Sequence, residues 1–231
     1  MEMKQTKDDK SKVELASLEI FNKLSNDDMQ ALTAKRLKKT IKKGEFLCHQ
    51  GDIWPKAIFV INGELSWAML SYTGREQVLF TVKAGEDFWG HSLFDSAPMP
   101  ASLQAIDHTE VFLWPKDVLL PLLHENPEAM WAITAKLVGI MRQAREVIYG
   151  LAFQPLTSRL AQLLLTRFGE VEQTPVERDL TLDQIASIVN STPEVVCRLM
   201  YQFQADGILE ITRASIALHD HKSLAKLAEK G

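Results

Sequence analysis

The chain has 231 residues, 46% hydrophobic and 24% charged, with a net charge of −4, the profile of a globular protein of one large or two small domains. No apolar run approaches the ~20 residues that cross a bilayer, and the opening MEMKQTKDDKSK lacks a signal-peptide core, so a cytoplasmic protein with no membrane partner is expected. Its two cysteines, Cys48 and Cys197, are too few for an all-thiolate zinc or iron–sulfur site and argue against a disulfide framework.

Residues 1–17 read as a polar tail, and 18–126 as one domain. Ser17 to Lys39 suggests short helices. Ser25 caps one whose Met29, Leu32 and Leu37 point inward, with Asp27 and Asp28 well placed in its first turn. From Thr40 the period becomes strand-like. Strands are expected at Glu45–His49, Ala57–Ile61, Leu65–Leu70, Gln77–Val82 and Val111–Trp114, separated by turn signals such as Asn62-Gly63. Short strands at this spacing predict an antiparallel β-barrel or jelly roll. All five tryptophans lie in the first 131 residues, and most are expected in the barrel core.

Asp117–His124 reads as a short helix. Pro127 opens a long one running to about Leu151, the third segment being 127–150. Met130, Leu137, Ala144 and Leu151 fall seven apart, and Thr134, Met141 and Ile148 sit four beyond the first three. That heptad-like spacing fits a seam between two copies. A helix packed on its own barrel is the alternative. Gly150 to Pro155 reads as a hinge into the last domain, 151–231.

Within it, Leu180 to Leu209 has the grammar of a helix-turn-helix. Thr181 can cap a short helix carrying Leu182, Ile185, Ala186 and Val189 at helical spacing. Asn190-Ser191-Thr192 breaks it, and Thr192 before Pro193 restarts it, proline being harmless at the first helical position. Val196, Leu199, Met200 and Phe203 form the inward face, Glu194, Cys197, Arg198, Tyr201 and Gln202 lie on or near the other side, and Gly207 ends the helix. Leu209–Ile211 and Ile216–Leu218 around Thr212-Arg213-Ala214-Ser215 would form a wing. Such a helix pair can lay its second member in a DNA major groove, or pack as a hairpin inside a larger domain. Residues 151–231 hold eight Lys/Arg against ten Asp/Glu, a net −2. A net-acidic DNA reader must gather its cations on one face, because phosphate neutralisation dominates affinity.

The order barrel, long helix, hinge, winged helix-turn-helix resembles the bacterial Crp/Fnr family, that of the cyclic-AMP receptor protein and the fumarate–nitrate reduction regulator. The motifs are Lys43-Gly44-Glu45-Phe46-Leu47 with Gly51-Asp52, Phe59 to Leu65, Thr73-Gly74-Arg75-Glu76, Ala84 to Gly90, and Arg159-Leu160-Ala161 with Leu163-Leu164. The resemblance implies an α+β protein: a cyclic-nucleotide-binding-like antiparallel jelly roll, a long dimerisation helix and a C-terminal winged helix-turn-helix. It also implies a homodimeric transcription regulator that binds double-stranded DNA, with RNA polymerase a candidate partner. Family members that bind a cyclic nucleotide grip ribose with Gly-Glu-Leu and phosphate with an Arg-Ser or Arg-Thr pair. Here those positions read Gly90-His91-Ser92 and Met99-Pro100-Ala101-Ser102. The bidentate cation is missing, so cAMP and cGMP are disfavoured.

No cofactor and no metal are assigned. A haem would need His91 or His49 as axial ligand, and a lone histidine is more often hydrogen-bonded in a core or at a surface. A subset of side chains, Trp67, Trp89 and Trp131 with His91 and Ser102, could line a pocket for an apolar or aromatic small-molecule effector.

The family reads bases with a Glu and an Arg one turn apart, matched here by Glu194 and Arg198. The cyclic-AMP receptor branch has a further arginine where this chain has Pro193, and the other branch has Glu-x-x-Ser-Arg, with Cys197 here in place of the serine and counted with Glu194 and Arg198 among the base-reading residues. The expected site is a pseudo-palindrome with half-sites nearer TTGAT than TGTGA. Thr181 and Thr192 match phosphate-contacting positions, while Arg213 is assigned to phosphate from its place in the wing. Glu194 and Arg198 could equally form an i,i+4 ion pair in the free protein. An effector would act by changing the spacing of two recognition helices, which must lie about 34 Å apart on DNA. No nucleophile–base pair, metal-ligand cluster or P-loop points to an enzyme. The competing reading is a cytoplasmic module binding a small molecule, a cyclic nucleotide or haem among the candidates, with a degenerate DNA-reading helix.

Overall fold

A computed structural model of the chain describes residues 20–169 and 175–229. The predicted tail at 1–17 lies outside them, and so do residues 170–174 of Gly169–Asp179, which reads in the sequence as an acidic, proline-containing loop. The chain forms two compact units: that through Leu70 with Val78–Gln143, and Ser71–Gln77 with Ala144 onward.

In the first unit, Ser25 caps α1 (Asn26–Lys35), its hydroxyl accepting from Asp28 N–H, with Asp27 and Asp28 in the first turn. The helix stops before Arg36, which is extended. Leu37, expected on the helix's inner face, instead opens β1 (Leu37–Ile41) and is 58% exposed. β1 is an edge strand, so only one flank of its residues finds a partner.

β2 (Phe46–Cys48), β3 (Lys56–Asn62), β4 (Glu64–Leu70), β5 (Glu76–Lys83), β6 (Asp87–Trp89), β7 (Ser102–Ala105) and β8 (Thr109–Pro115) follow. They make two four-stranded sheets, ordered β1-β8-β3-β6 and β2-β7-β4-β5, with antiparallel pairing throughout. The architecture is an open jelly roll rather than a closed barrel. Sequence reading left β6 and β7 unassigned. At three and four residues they are too short for alternation to show.

Gly63, in the β3–β4 turn, is required twice over. Its φ is +86°, and a Cβ would lie 2.6 Å from Thr109 Oγ1 and 2.7 Å from Asp107 Oδ1. Strands β3 and β8 are apolar on both faces. Ile58, Val60, Val111 and Leu113 point into the core between the sheets with Trp67 and Phe88. Phe59, Phe112 and Trp114 point the other way, under a helical layer with Phe21, Leu32 and Leu123. Trp114 Nε1–H donates to Leu32 O at 2.9 Å and ties α1 to that face.

The helical layer includes α3 (Lys116–Glu125), after the short α2 (Ser92–Asp95), and the first turns of α4 (Pro127–Phe153). α4 is one continuous 27-residue helix. The expected hinge, Gly150–Pro155, narrows to its last residues: Gln154 N–H donates to Gly150 O at 3.0 Å, so helical bonding runs through its start. The break falls at Gln154-Pro155, where proline forces its predecessor out of the helical region.

In the second unit, α5 (Leu156–Phe168), β9 (Val176–Glu177), α6 (Leu182–Val189), α7 (Pro193–Ala205), β10 (Leu209–Ile211), β11 (Ser215–Leu218) and α8 (His221–Ala228) form a winged helix-turn-helix. One core joins them through Leu164, Ile185, Val196, Phe203, Ile216 and Leu224. The sheet order is β10-β11-β9, all antiparallel.

Candidate nucleic-acid interface

The α6–turn–α7 element is built by local chemistry. Thr181 and Gln184 form a capping box. Thr181 Oγ1 accepts from Gln184 N–H, and Gln184 Oε1 accepts from Thr181 N–H at 2.8 Å. The cap uses the hydroxyl only as an acceptor, leaving its proton available to a phosphate oxygen. Asn190 takes the left-handed conformation at φ 52°, which asparagine tolerates better than most residues. Ser191 N–H then closes on Ala186 O. Pro193 starts α7.

Val196, Met200 and Phe203 bury the inner face of α7. Glu194, Arg198 and Tyr201 are exposed on the outer one. Among the described residues no ion pair joins Glu194 to Arg198. The Thr192 hydroxyl and the residue's own backbone N–H hold the Glu194 carboxyl below the ordinary carboxylate range. Thr192, matched to a phosphate-contacting position in the sequence, thus has its hydroxyl beside the Glu194 carboxylate. Cys197 is displaced from Arg198 by one residue, about 100° around the helix. It faces the wing, half-buried in a cleft of about 270 Å3. Tyr201, which shares the outward face with Glu194 and Arg198, lines the same cleft, and Cys197 lies about 60° around the helix from Glu194.

Arg213 stands exposed in the wing turn. Thr212 shapes that turn, its Oγ1 accepting from the backbone N–H of Ala214 and Ser215. Arg178, which carried no signal in the sequence, lines the same cleft as Arg213. Its place beside the wing depends on β9 pairing with β11, which local pattern does not reveal.

Arg159 ties the base of this unit together. Its Nε–H donates to Val189 O at 3.1 Å, and Nη1 donates to Gln154 O at 2.6 Å and, less closely, to Gly150 O at 3.4 Å. The guanidinium thereby serves C-terminal carbonyls of both α4 and α6. Burial lowers its pKa.

In the first unit, the residues grouped as an effector pocket do not converge. Trp67 lies in the core between the sheets, and His91 stacks on it at 5.6 Å with rings 10° apart. Burial lowers the His91 pKa, and among the described residues its buried Nδ1 has no hydrogen-bond partner. Trp89, two residues before His91, is in the helical layer on the opposite side of the sheet, because Phe88 takes the inward position of β6. Its Nε1–H donates to buried Asp87, whose carboxylate also pairs with Lys136 Nζ at 2.5 Å. Ser102 Oγ accepts from Gln50 N–H. Trp131 is 75% exposed on α4 and lines nothing in the core. A different cavity, of about 340 Å3, lies between β5–β6 and α4, lined by Phe80, Val82, Phe88, Lys136, Gly139 and Ile140 among others.

The expected seam also divides. Met130 and Leu137 are half-buried against the helical layer of their own unit, and Ala144 is half-buried too. Met141 and Ile148 are 71% and 65% exposed, on a face shared with Trp131 and Val138. One of the two rows thus serves the chain's own core, and the other is uncovered.

The Cyclic nucleotide-binding domain family matches residues 38–126, and the Crp-like helix-turn-helix domain family matches residues 158–227. The chain is 26% identical to a CRP-like cAMP-activated global transcriptional regulator of Mycobacterium tuberculosis, over 93% of this chain and 98% of the relative. It is also 26% identical to the fumarate and nitrate reduction regulatory protein of Escherichia coli, over 83% of this chain and 78% of the relative. Among solved structures, a regulator of the crp/fnr family from Eubacterium rectale superposes with a TM-score of 0.76 at 19% identity, covering 91% of this chain and 98% of that one. The c-di-GMP responsive global regulator CLP of Xanthomonas campestris gives 0.74 at 21% identity, covering 85% and 100%. With the jelly roll, the long helix and the winged helix-turn-helix in this order, the chain belongs to the Crp/Fnr family of transcriptional regulators.

Proposed function

We propose that two copies of this chain bind a pseudo-palindromic DNA site with TTGAT-like half-sites, under control of a small molecule held by the N-terminal unit. The observation that carries the reading is the outward pair on α7: Glu194 and Arg198 are exposed one turn apart and, among the described residues, form no ion pair with each other, on a helix that Pro193 starts. Arg198 can donate two parallel N–H bonds to guanine O6 and N7, and Glu194 can accept from a cytosine amino group. The second copy docks along Trp131, Val138, Met141 and Ile148, apolar side chains that α4 leaves exposed. Selection of binding sites from random duplexes is the test. A GA step recurring in two inverted halves is expected, and selected sites without one refute the assignment.

The effector is not a cyclic nucleotide, although one relative is named as cAMP-activated. At the positions matching the phosphate grip, Ser102 accepts a backbone N–H and the stretch Met99-Pro100-Ala101-Ser102 carries no arginine, while His91 stacks on Trp67. The cavity beside Phe80, Phe88 and Ile140 offers an apolar or aromatic molecule an apolar wall, with Glu86, Asp87, Lys136 and Gln143 as its polar groups. Such a ligand acts by binding one arrangement of α4 more tightly than another. Mass spectrometry of small molecules that copurify with the chain checks this, and a copurifying cyclic nucleotide overturns it. The protein works in the cytoplasm as a regulator rather than an enzyme, with RNA polymerase as its partner at promoters. Among the described residues, no helix is long and apolar enough to cross a membrane.

A further inference from the structure

The cleft between α7 and the wing has a composition that base reading does not explain. Arg178, Arg213, Tyr201, Thr212 and Cys197 line it, together with apolar side chains, and among the described residues no carboxylate does. Two guanidiniums from separate stretches of chain meet there because β9 pairs with β11, Ser215 opposite Glu177. Arg178 N–H donates to Ala214 O at 2.7 Å, which pins its backbone against the tip of the wing that carries Arg213. The adjacent carboxylate, Asp179, is turned away onto Arg167 of α5, whose Nε–H donates to it at 2.8 Å. Glu210 of β10 lies 3.6 Å from His219. Among the described residues no ion pair neutralises Arg178 or Arg213. In a unit with a net acidic sequence, this is a local pair of uncompensated cations with two hydroxyl groups beside them.

We propose that this cleft is a clamp for a backbone phosphodiester of the bound duplex, with Arg178 and Arg213 as its two cations. A guanidinium presents a planar fork of N–H donors that matches the two free oxygens of a phosphodiester. The Tyr201 hydroxyl is a further donor to the same anion, while the Thr212 hydroxyl is held by Ser215 and shapes the turn. Arg178 is the new element: it comes from the strand before the helix-turn-helix and contacts no base. The clamp sets the register of α7 in the groove, while Glu194 and Arg198 read sequence. It rests on the DNA-reading function proposed above.

Fluorescence anisotropy with the full chain separates the two ideas. A duplex carrying the selected site and a scrambled duplex are titrated over a series of salt concentrations with wild type, R178Q, R178K, R213Q and R198A. R178Q and R213Q should each weaken binding about tenfold on both duplexes alike. The slope of log affinity against log salt should fall by about 0.9 for each phosphate contact removed. R178K, which keeps the cation, should keep the slope. R198A should lose discrimination between the duplexes and keep the slope. An unchanged slope in R178Q overturns the clamp while leaving the reading by α7 intact, and so does a loss confined to the selected duplex. Wild type that grips neither duplex at low salt overturns both. R213Q, altered in an exposed turn, keeps the test decisive if R178Q fails to fold.

Discussion

Arg159 gathers the carbonyls at the ends of two helices, and its loss should be felt as stability before it is felt at DNA. Arg159→Met keeps the aliphatic stem but leaves Gln154 O and Val189 O without their donors. Hydrogen bonds from a charged group are worth about 1.5–3 kcal/mol each, so a loss of about 2–3 kcal/mol is expected in urea unfolding of the C-terminal unit. Arg198→Ala should behave in the opposite way. The side chain is exposed, so stability should hold, while discrimination at the guanine falls by about 1–3 kcal/mol per half-site. Competition binding with single-base variants of the selected site measures it. His91 predicts a pH effect. Its native pKa lies below the ordinary 6.5 because the ring is buried. Between the two values the unfolded chain binds more protons than the native one, so stability falls as pH drops through about 6.5. His91→Phe should flatten that part of the stability–pH curve, and unchanged curvature would show that other groups cause it.

Among the elements, α4 serves two purposes with two faces. Ala129, Ala132 and Ile133 fill the helical layer, with Met130 and Leu137 against it. Trp131, Val138, Met141 and Ile148 remain uncovered. Their spacing of seven, three and seven gives a knobs-into-holes row when a second helix lies alongside. Met141→Glu with Ile148→Glu would place two charges on each side of that row. Analytical ultracentrifugation should then find monomers, with the far-ultraviolet circular dichroism unchanged because neither side chain packs within its own unit. The helix-turn-helix depends instead on caps. Thr181 and Gln184 begin α6, and Asn190 in the left-handed region ends it, which fixes the entry of α7 without help from distant residues.

For the whole molecule, dimerisation should convert two weak half-site contacts into one strong one. The chain carries a net −4, so general attraction to DNA is small and the local cations of the winged unit must supply it. A chain held monomeric by the α4 charges should bind a full palindrome no more tightly than a single half-site. Wild type should prefer the palindrome strongly, because the second contact is intramolecular once the first has formed.

Local rules written in the chain determined a good deal. Thr181, Asn190 and Thr192-Pro193 were legible because caps, left-handed positions and proline starts act within a few residues. The Asn62-Gly63 turn and the run of short strands were legible for the same reason, and the order of motifs disclosed the family. Tertiary structure alone decided which apolar face is covered. Periodicity puts Met130 and Met141 on rows of equal apolarity, and only packing shows that one row meets its own unit and the other nothing. Trp67 and Trp89 look alike in sequence, yet the pleat of β4 and β6 sends one into the core and the other under the helices. Arg178 and Arg213 become neighbours only through the pairing of β9 with β11. Spacing along a chain fixes which residues share a face, whereas what that face meets depends on segments brought close by the whole fold.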